Sequence, residues 1–140
     1  MTVSWLVYAS ISALAAAATA ILAKIGLDGV PSTLATAVRT VVVVVCAWGV
    51  VFAVGQQHAV ASLSRRSLMF LTLSGVGTGI SWLAYFHALK LAPASWVAPI
   101  DKLSLPLTVA LAVVVLKEPV TGQAWLGVTL MVVGALLTLR

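Results

Sequence analysis

The sequence predicts an all-helical integral membrane protein that crosses the bilayer five times, and three observations predict it. Of 140 residues, 62% are hydrophobic and 8% are charged, where a soluble domain carries about a quarter charged. Eight basic and three acidic side chains cannot cover a soluble surface of that size, so the apolar surface must face lipid. The apolar residues also fall into five runs, each close to the roughly 20 residues of helix that span a hydrocarbon core about 30 Å thick. Residues 41–45 are apolar on every face, which excludes the alternation of a membrane strand. Valine is a poor helix former in water, but in lipid the helix satisfies each backbone group internally, and that requirement overrides propensity.

The first span is expected over residues 3–23, ended by Lys24 and by the turn residues Gly26, Asp28, Gly29 and Pro31. No Lys or Arg precedes it and it is too long for a signal core, so it reads as a retained helix. The second covers about 32–54 and closes on Gly55, Gln56, Gln57 and His58; the third, about 67–91, follows Ser64, Arg65 and Arg66. The fourth, about 94–116, follows Pro93 and ends at Lys117, Glu118 and Pro119, and the fifth, about 121–139, stops at Arg140. Every connection is short, so neighbouring helices run antiparallel and residues 1–140 form a single transmembrane domain.

Charge placement adds little about orientation. With side A defined as the face of the N-terminus, Arg65, Arg66 and Lys117 mark side A, while Lys24, Lys90 and Arg140 mark side B. The positive-inside rule has almost nothing to act on. An odd number of spans with balanced flanks suits insertion in both orientations, and a fixed topology set by Arg65 and Arg66 is the alternative. The basic residues sit singly at membrane edges, a pattern of anchors that leaves no basic patch for a nucleic-acid partner. Cys46 stands alone inside an apolar run, without disulfide or metal-ligand spacing.

Charge within a span is costly and marks function. Arg39, Asp101 and Lys102 qualify, each seven or eight residues from the side B end of its span, hence about 10–12 Å deep at 1.5 Å per residue. A pair between Arg39 and Asp101 is geometrically allowed if the second and fourth helices are neighbours. The fourth span also carries Pro99 and Pro106 behind Pro93, with Ser104 beside the break. Interior prolines free backbone carbonyls, either to line a binding site or simply to kink a structural helix. Trp82 is too deep for an interfacial belt and, with Tyr85, offers an aromatic pocket or helix packing; Trp5, Trp96 and Trp125 fit the belts. His87 reads as an interfacial polar residue. Gly75 and Gly79 allow close helix approach or a flexible gating helix, and Gly127 with Gly134 gives the last helix one small face suited to helix-on-helix contact. Substrate contact is thus expected at Arg39, Trp82, Tyr85, Asp101, Lys102 and Ser104. No carboxylate pair, metal-binding motif, phosphate loop or activated nucleophile appears, so neither an enzyme nor a cofactor is expected.

The stretches Lys24-Ile25-Gly26-Leu27, Ala35-Thr36-Ala37-Val38-Arg39-Thr40 and Trp82-Leu83-Ala84-Tyr85-Phe86-His87-Ala88-Leu89 have a further significance. So do residues 93–104, with Pro93, Pro99, Asp101, Lys102 and Ser104, then Leu116-Lys117-Glu118, Trp125-Leu126-Gly127 and Gly134. In this order and spacing, over nearly the whole chain, they resemble the EamA-domain proteins of the drug/metabolite transporter superfamily, and in particular the five-helix single-repeat type. Larger relatives have ten helices in two repeats of opposite orientation around a central cavity. The resemblance therefore implies one EamA-type repeat completed by an antiparallel copy of itself. It further implies a secondary transporter of a small metabolite or drug-like solute, working by alternating access as a homodimer in the inner cell membrane. The last helix resembles the glycine-spaced assembly helix of the small multidrug transporters, but their membrane-embedded Glu in the first helix has no counterpart here. A flippase for a lipid-linked polyprenyl intermediate and a non-transporting assembly subunit are the alternatives.

Overall fold

The computed structural model describes residues 3–139, and every regular element among them is helical. Helix α1 (Val3–Gly26) leads through a turn to α2 (Ser32–Ala53), and a short 3-10 segment (Gln57–Ser62) precedes α3 (Arg65–Leu91). Then come α4 (Ala94–Asp101), α5 (Ser104–Leu111), a π-helical turn (Ala112–Leu116) and α6 (Gly122–Leu137). Among the described residues, four segments are long and apolar enough to cross a membrane: Ser4–Gly26, Ser32–Ala53, Arg65–Leu91 and Ala94–Leu116. Arg140, counted above on side B, lies outside the described residues.

The helix boundaries have local causes. Gly29 and Gly55 adopt left-handed φ of 67° and 74°, which only glycine takes without steric cost, and they turn the chain after α1 and α2. Helix α3 begins two residues before the expected start because the Ser64 hydroxyl accepts the Ser67 amide at 3.0 Å and caps the first turn. Arg65 and Arg66 are therefore the first residues of the helix rather than its approach. At the other end, α6 is capped by the Thr121 hydroxyl, which accepts the Ala124 amide at 3.3 Å. The 16 residues of α6 span about 24 Å, less than the 19 residues expected over 121–139.

The fourth span departs most from a plain helix. Pro106 has no amide to donate, so the Lys102 carbonyl takes the Leu105 amide at 3.0 Å, while the Leu103 amide turns to Ile100 at 3.0 Å. These i→i+3 bonds replace two i→i+4 bonds, and the carbonyls of Pro99 and Asp101 lose their usual helical donors. The helix stops at Asp101 and restarts at Ser104. It ends in the π-helical turn, closed by Lys117 in the left-handed region (φ 56°) and by a bond from the Glu118 amide to the Ala112 carbonyl at 3.2 Å.

The described chain divides into two compact units: Ala23–Lys90, and Met1–Leu22 with Leu91–Arg140. In the first, the Lys24 ammonium donates to the Leu89 carbonyl and that of Lys90 donates to the Val30 carbonyl at 2.9 Å. Both lysines thus bind carbonyls near the membrane edge, with Leu27 and Leu89 buried beneath them. In the second, α4 and α5 pack on α6, where Ala135 is buried. Most large apolar side chains of the helices are exposed, including all five valines of residues 41–45. This is the surface that lipid must cover.

Candidate functional site

Six hydroxyls within the helices are satisfied by their own helix. The hydroxyls of Ser10, Thr36, Thr40, Thr78, Thr108 and Thr129 each donate to the carbonyl four residues earlier, at 2.8–3.0 Å. This back-bonding hides a hydroxyl from lipid without a partner helix. Charged groups have no such recourse, so the deep charges of Arg39, Asp101 and Lys102 are the polar positions that most need an explanation.

In the unit Ala23–Lys90, two stripes at helical spacing meet. Helix α2 contributes Ser32, Thr36 and Arg39, and α3 contributes Trp82, Phe86 and Leu89, both at i, i+4 and i+7. Ser32 and Thr36 are buried on the α2 stripe, as are Phe86 and Leu89 on the α3 stripe. The Arg39 guanidinium lies 4.3 Å from the Trp82 ring centroid and 5.4 Å from that of Phe86. Tyr85 is half-buried and meets Phe86 edge to face at 6.3 Å. The Ser32 hydroxyl lies 3.5 Å from Nδ1 of His87, so the residue read as interfacial also faces α2. A desolvated cation–π contact contributes about 2 kcal/mol, less than the several kcal/mol needed to strip an ion of water. Two rings support the guanidinium; they do not neutralise it.

The other unit holds Asp101, Lys102 and Ser104 at the helix break. The Lys102 ammonium lies 3.3 Å from a carboxylate oxygen of Asp101, the two side chains being 55% and 34% exposed. Consecutive residues of an undistorted helix do not face one another; the turn at Lys102 lets these two meet. Exposure makes the pair worth at most about 1 kcal/mol in water, so it holds the charges without locking them. Ser104, at the start of α5, is exposed, and its carbonyl accepts the Thr108 hydroxyl. A groove of about 350 Å³ beside the break is lined by Pro99, Lys102, Leu105, Met131, Gly134, Ala135 and Thr138. Gly127 is not among its lining residues. A Cβ added at Gly127 or Gly134 meets nothing within 4 Å.

The six residues expected from sequence to contact a solute thus divide three and three between the units. Arg39, Trp82 and Tyr85 stand together in one; Asp101, Lys102 and Ser104 stand together in the other. Each unit supplies its own partner: rings for Arg39, and Lys102 for Asp101. Phe86 was not anticipated, although its place four residues after Trp82 put it on the same face. Among the described residues no group of three or more His, Cys, Asp and Glu could hold a metal ion.

A profile of the EamA-like transporter family matches residues 3–140. A protein of Sinorhizobium sp. named "Uncharacterized transporter in cobO 3'region" is 44% identical over 137 residues, covering 98% of this chain and 97% of that protein. No solved structure matches the chain. The apolar spans, the broken fourth segment with its charged pair and the family profile running nearly end to end agree, and this multi-pass membrane protein belongs to the EamA-like transporter family.

Proposed function

We propose that the chain is a secondary transporter of a small metabolite or drug-like solute, acting by alternating access as a homodimer in the inner cell membrane. The observation that carries this reading is the interruption of the fourth span at Asp101 and Lys102, where an ion pair and two freed carbonyls lie within an otherwise apolar membrane segment. Irregular backbone at that depth is tolerated where it lines a watered cavity. Arg39 on its aromatic faces, Asp101, Lys102 and the Ser104 hydroxyl are the polar contacts in this scheme, and Trp82 and Tyr85 flank the solute. The scheme counts α6 as the fifth crossing, reached by local thinning of the bilayer or by flanking residues. The open space at Gly127 and Gly134 suits contact with a second copy, and balanced charge flanks suit an antiparallel one.

The groove beside the break, apolar except for Lys102 and Thr138, favours a second reading in which the cargo is amphiphilic, such as a lipid-linked intermediate. A thermal-shift screen of metabolites on the purified protein, followed by counterflow in proteoliposomes loaded with each hit, tests transport. Arg39→Ala and Asp101→Asn are expected to lower the counterflow rate at least about tenfold, the worth of one charged hydrogen bond. Wild-type rates in both variants would remove these residues from the site. Counterflow of water-soluble hits supports the first reading, and scrambling of a polyprenyl phosphate alone supports the second.

A further inference from the structure

We infer that the solute is a small organic anion, recognised by Arg39 through a carboxylate, phosphate or sulfonate group. The inference rests on the transport reading and deepens it. Within Ala23–Lys90 the sequence places five basic residues, Lys24, Arg39, Arg65, Arg66 and Lys90, against a single acid, Asp28. Asp28 belongs to the turn between α1 and α2, whereas Arg39 is seven residues into α2 from Ser32, about 10 Å further into the membrane. Of the three charges set about two turns of helix from a membrane edge or at the break, Arg39, Asp101 and Lys102, Asp101 is matched by Lys102 at 3.3 Å. The charge left over is that of Arg39.

The geometry gives that charge a direction. A guanidinium held against ring faces presents its N–H groups at its edge, where they match the two oxygens of a planar anion. Within the described residues of its own unit, no hydrogen bond or ion pair engages those N–H groups; the contacts of Arg39 there are the Trp82 and Phe86 rings. The nearby hydroxyls of Thr36 and Thr40 donate to carbonyls of their own helix, so they do not compete for the guanidinium. An arginine braced by rings and lacking a local carboxylate is a preorganised anion receptor. The unit's net positive charge raises the local concentration of anions before they bind.

The test uses the full chain in nanodiscs and three aromatic anions (benzoate, phenyl phosphate and benzenesulfonate) against benzamide, benzyl alcohol and benzylammonium, titrated calorimetrically. At least one anion is expected to bind about tenfold or more tightly than its neutral and cationic counterparts. Arg39→Gln is expected to erase that preference. Arg39→Lys keeps the charge but loses the fork, so it should retain the preference with several-fold weaker binding, and it carries the test if Arg39→Gln does not fold. Equal binding of the three charge types, binding of no anion, an unchanged preference in Arg39→Gln, or an Arg39→Lys variant that binds the anions as tightly as the wild type overturns the inference. Counterflow separates the two claims. Anion binding without flux contradicts transport alone, and flux of neutral or cationic solutes that survives Arg39→Gln contradicts anion recognition alone.

Discussion

Arg39 shows how a single residue can be ordered without being satisfied. Its guanidinium rests 4.3 Å from Trp82 and 5.4 Å from Phe86, contacts that fix its position but leave its charge. If these rings stabilise the fold through Arg39, then Trp82→Leu and Arg39→Gln are not independent. A double-mutant cycle on thermal stability in detergent is expected to give a coupling of about 1–2 kcal/mol. Additive effects would show that the ring and the cation do not interact. In the sequence Arg39 and Trp82 stand out because a charge or a deep tryptophan in an apolar run is conspicuous, and Tyr85 follows Trp82 within one turn; the three lie in one unit. Phe86 escaped notice because an apolar ring in a membrane helix is not conspicuous: only its spacing of four from Trp82 marks it. The pairing considered between Arg39 and Asp101 rested on equal depth, which compares distances along the membrane normal and says nothing of lateral position. Asp101 has a partner that depth arguments overlook, the adjacent Lys102 at 3.3 Å, because consecutive residues meet only where the helix gives way.

At the scale of elements, hydropathy made four long spans legible, and their observed limits differ from expectation by no more than about three residues, as helix ends usually do. The earlier start of α3 has a local cause in the Ser64 cap. The prolines of the fourth span predict either a break that exposes backbone or a simple kink; the span divides between Asp101 and Ser104 and ends in a π-helical turn. Counting apolar residues cannot anticipate this, since the break depends on which carbonyl each displaced amide finds. Pro106→Ala returns an amide to the Lys102 carbonyl, and together with Pro99→Ala it is expected to close the turn. Hydrogen exchange of the amides of residues 102–105 should then slow by about tenfold or more, while membrane insertion is unchanged. If the break serves transport, the same double variant loses counterflow. Retained flux with slowed exchange would make the break a feature of structure only.

On the scale of the whole molecule, the exposed apolar faces and the stretch of small residues on α6 raise the question of what covers them. Lipid covers most. For the α6 face, a Cβ at Gly134 meets nothing within 4 Å of its own chain, so Gly134→Leu is expected to leave the single chain folded. A fall in crosslinked dimer in native membranes, with unchanged expression, would place the contact between copies at this face; an unchanged dimer yield would move it elsewhere. A C-terminal reporter detected on both membrane faces is expected if the copies are antiparallel, and detection on one face contradicts that arrangement. The most direct test of a watered path needs no knowledge of the solute. Cys46 is the chain's single cysteine, so a Cys46→Ser background allows single cysteines to be placed at Arg39, at Asp101 and at lipid-facing Val44. With a membrane-impermeant thiol reagent applied to right-side-out and then to inverted vesicles, Arg39→Cys and Asp101→Cys are expected to react from both faces while Val44→Cys does not. Positions 39 and 101 as unreactive as position 44 would contradict the account.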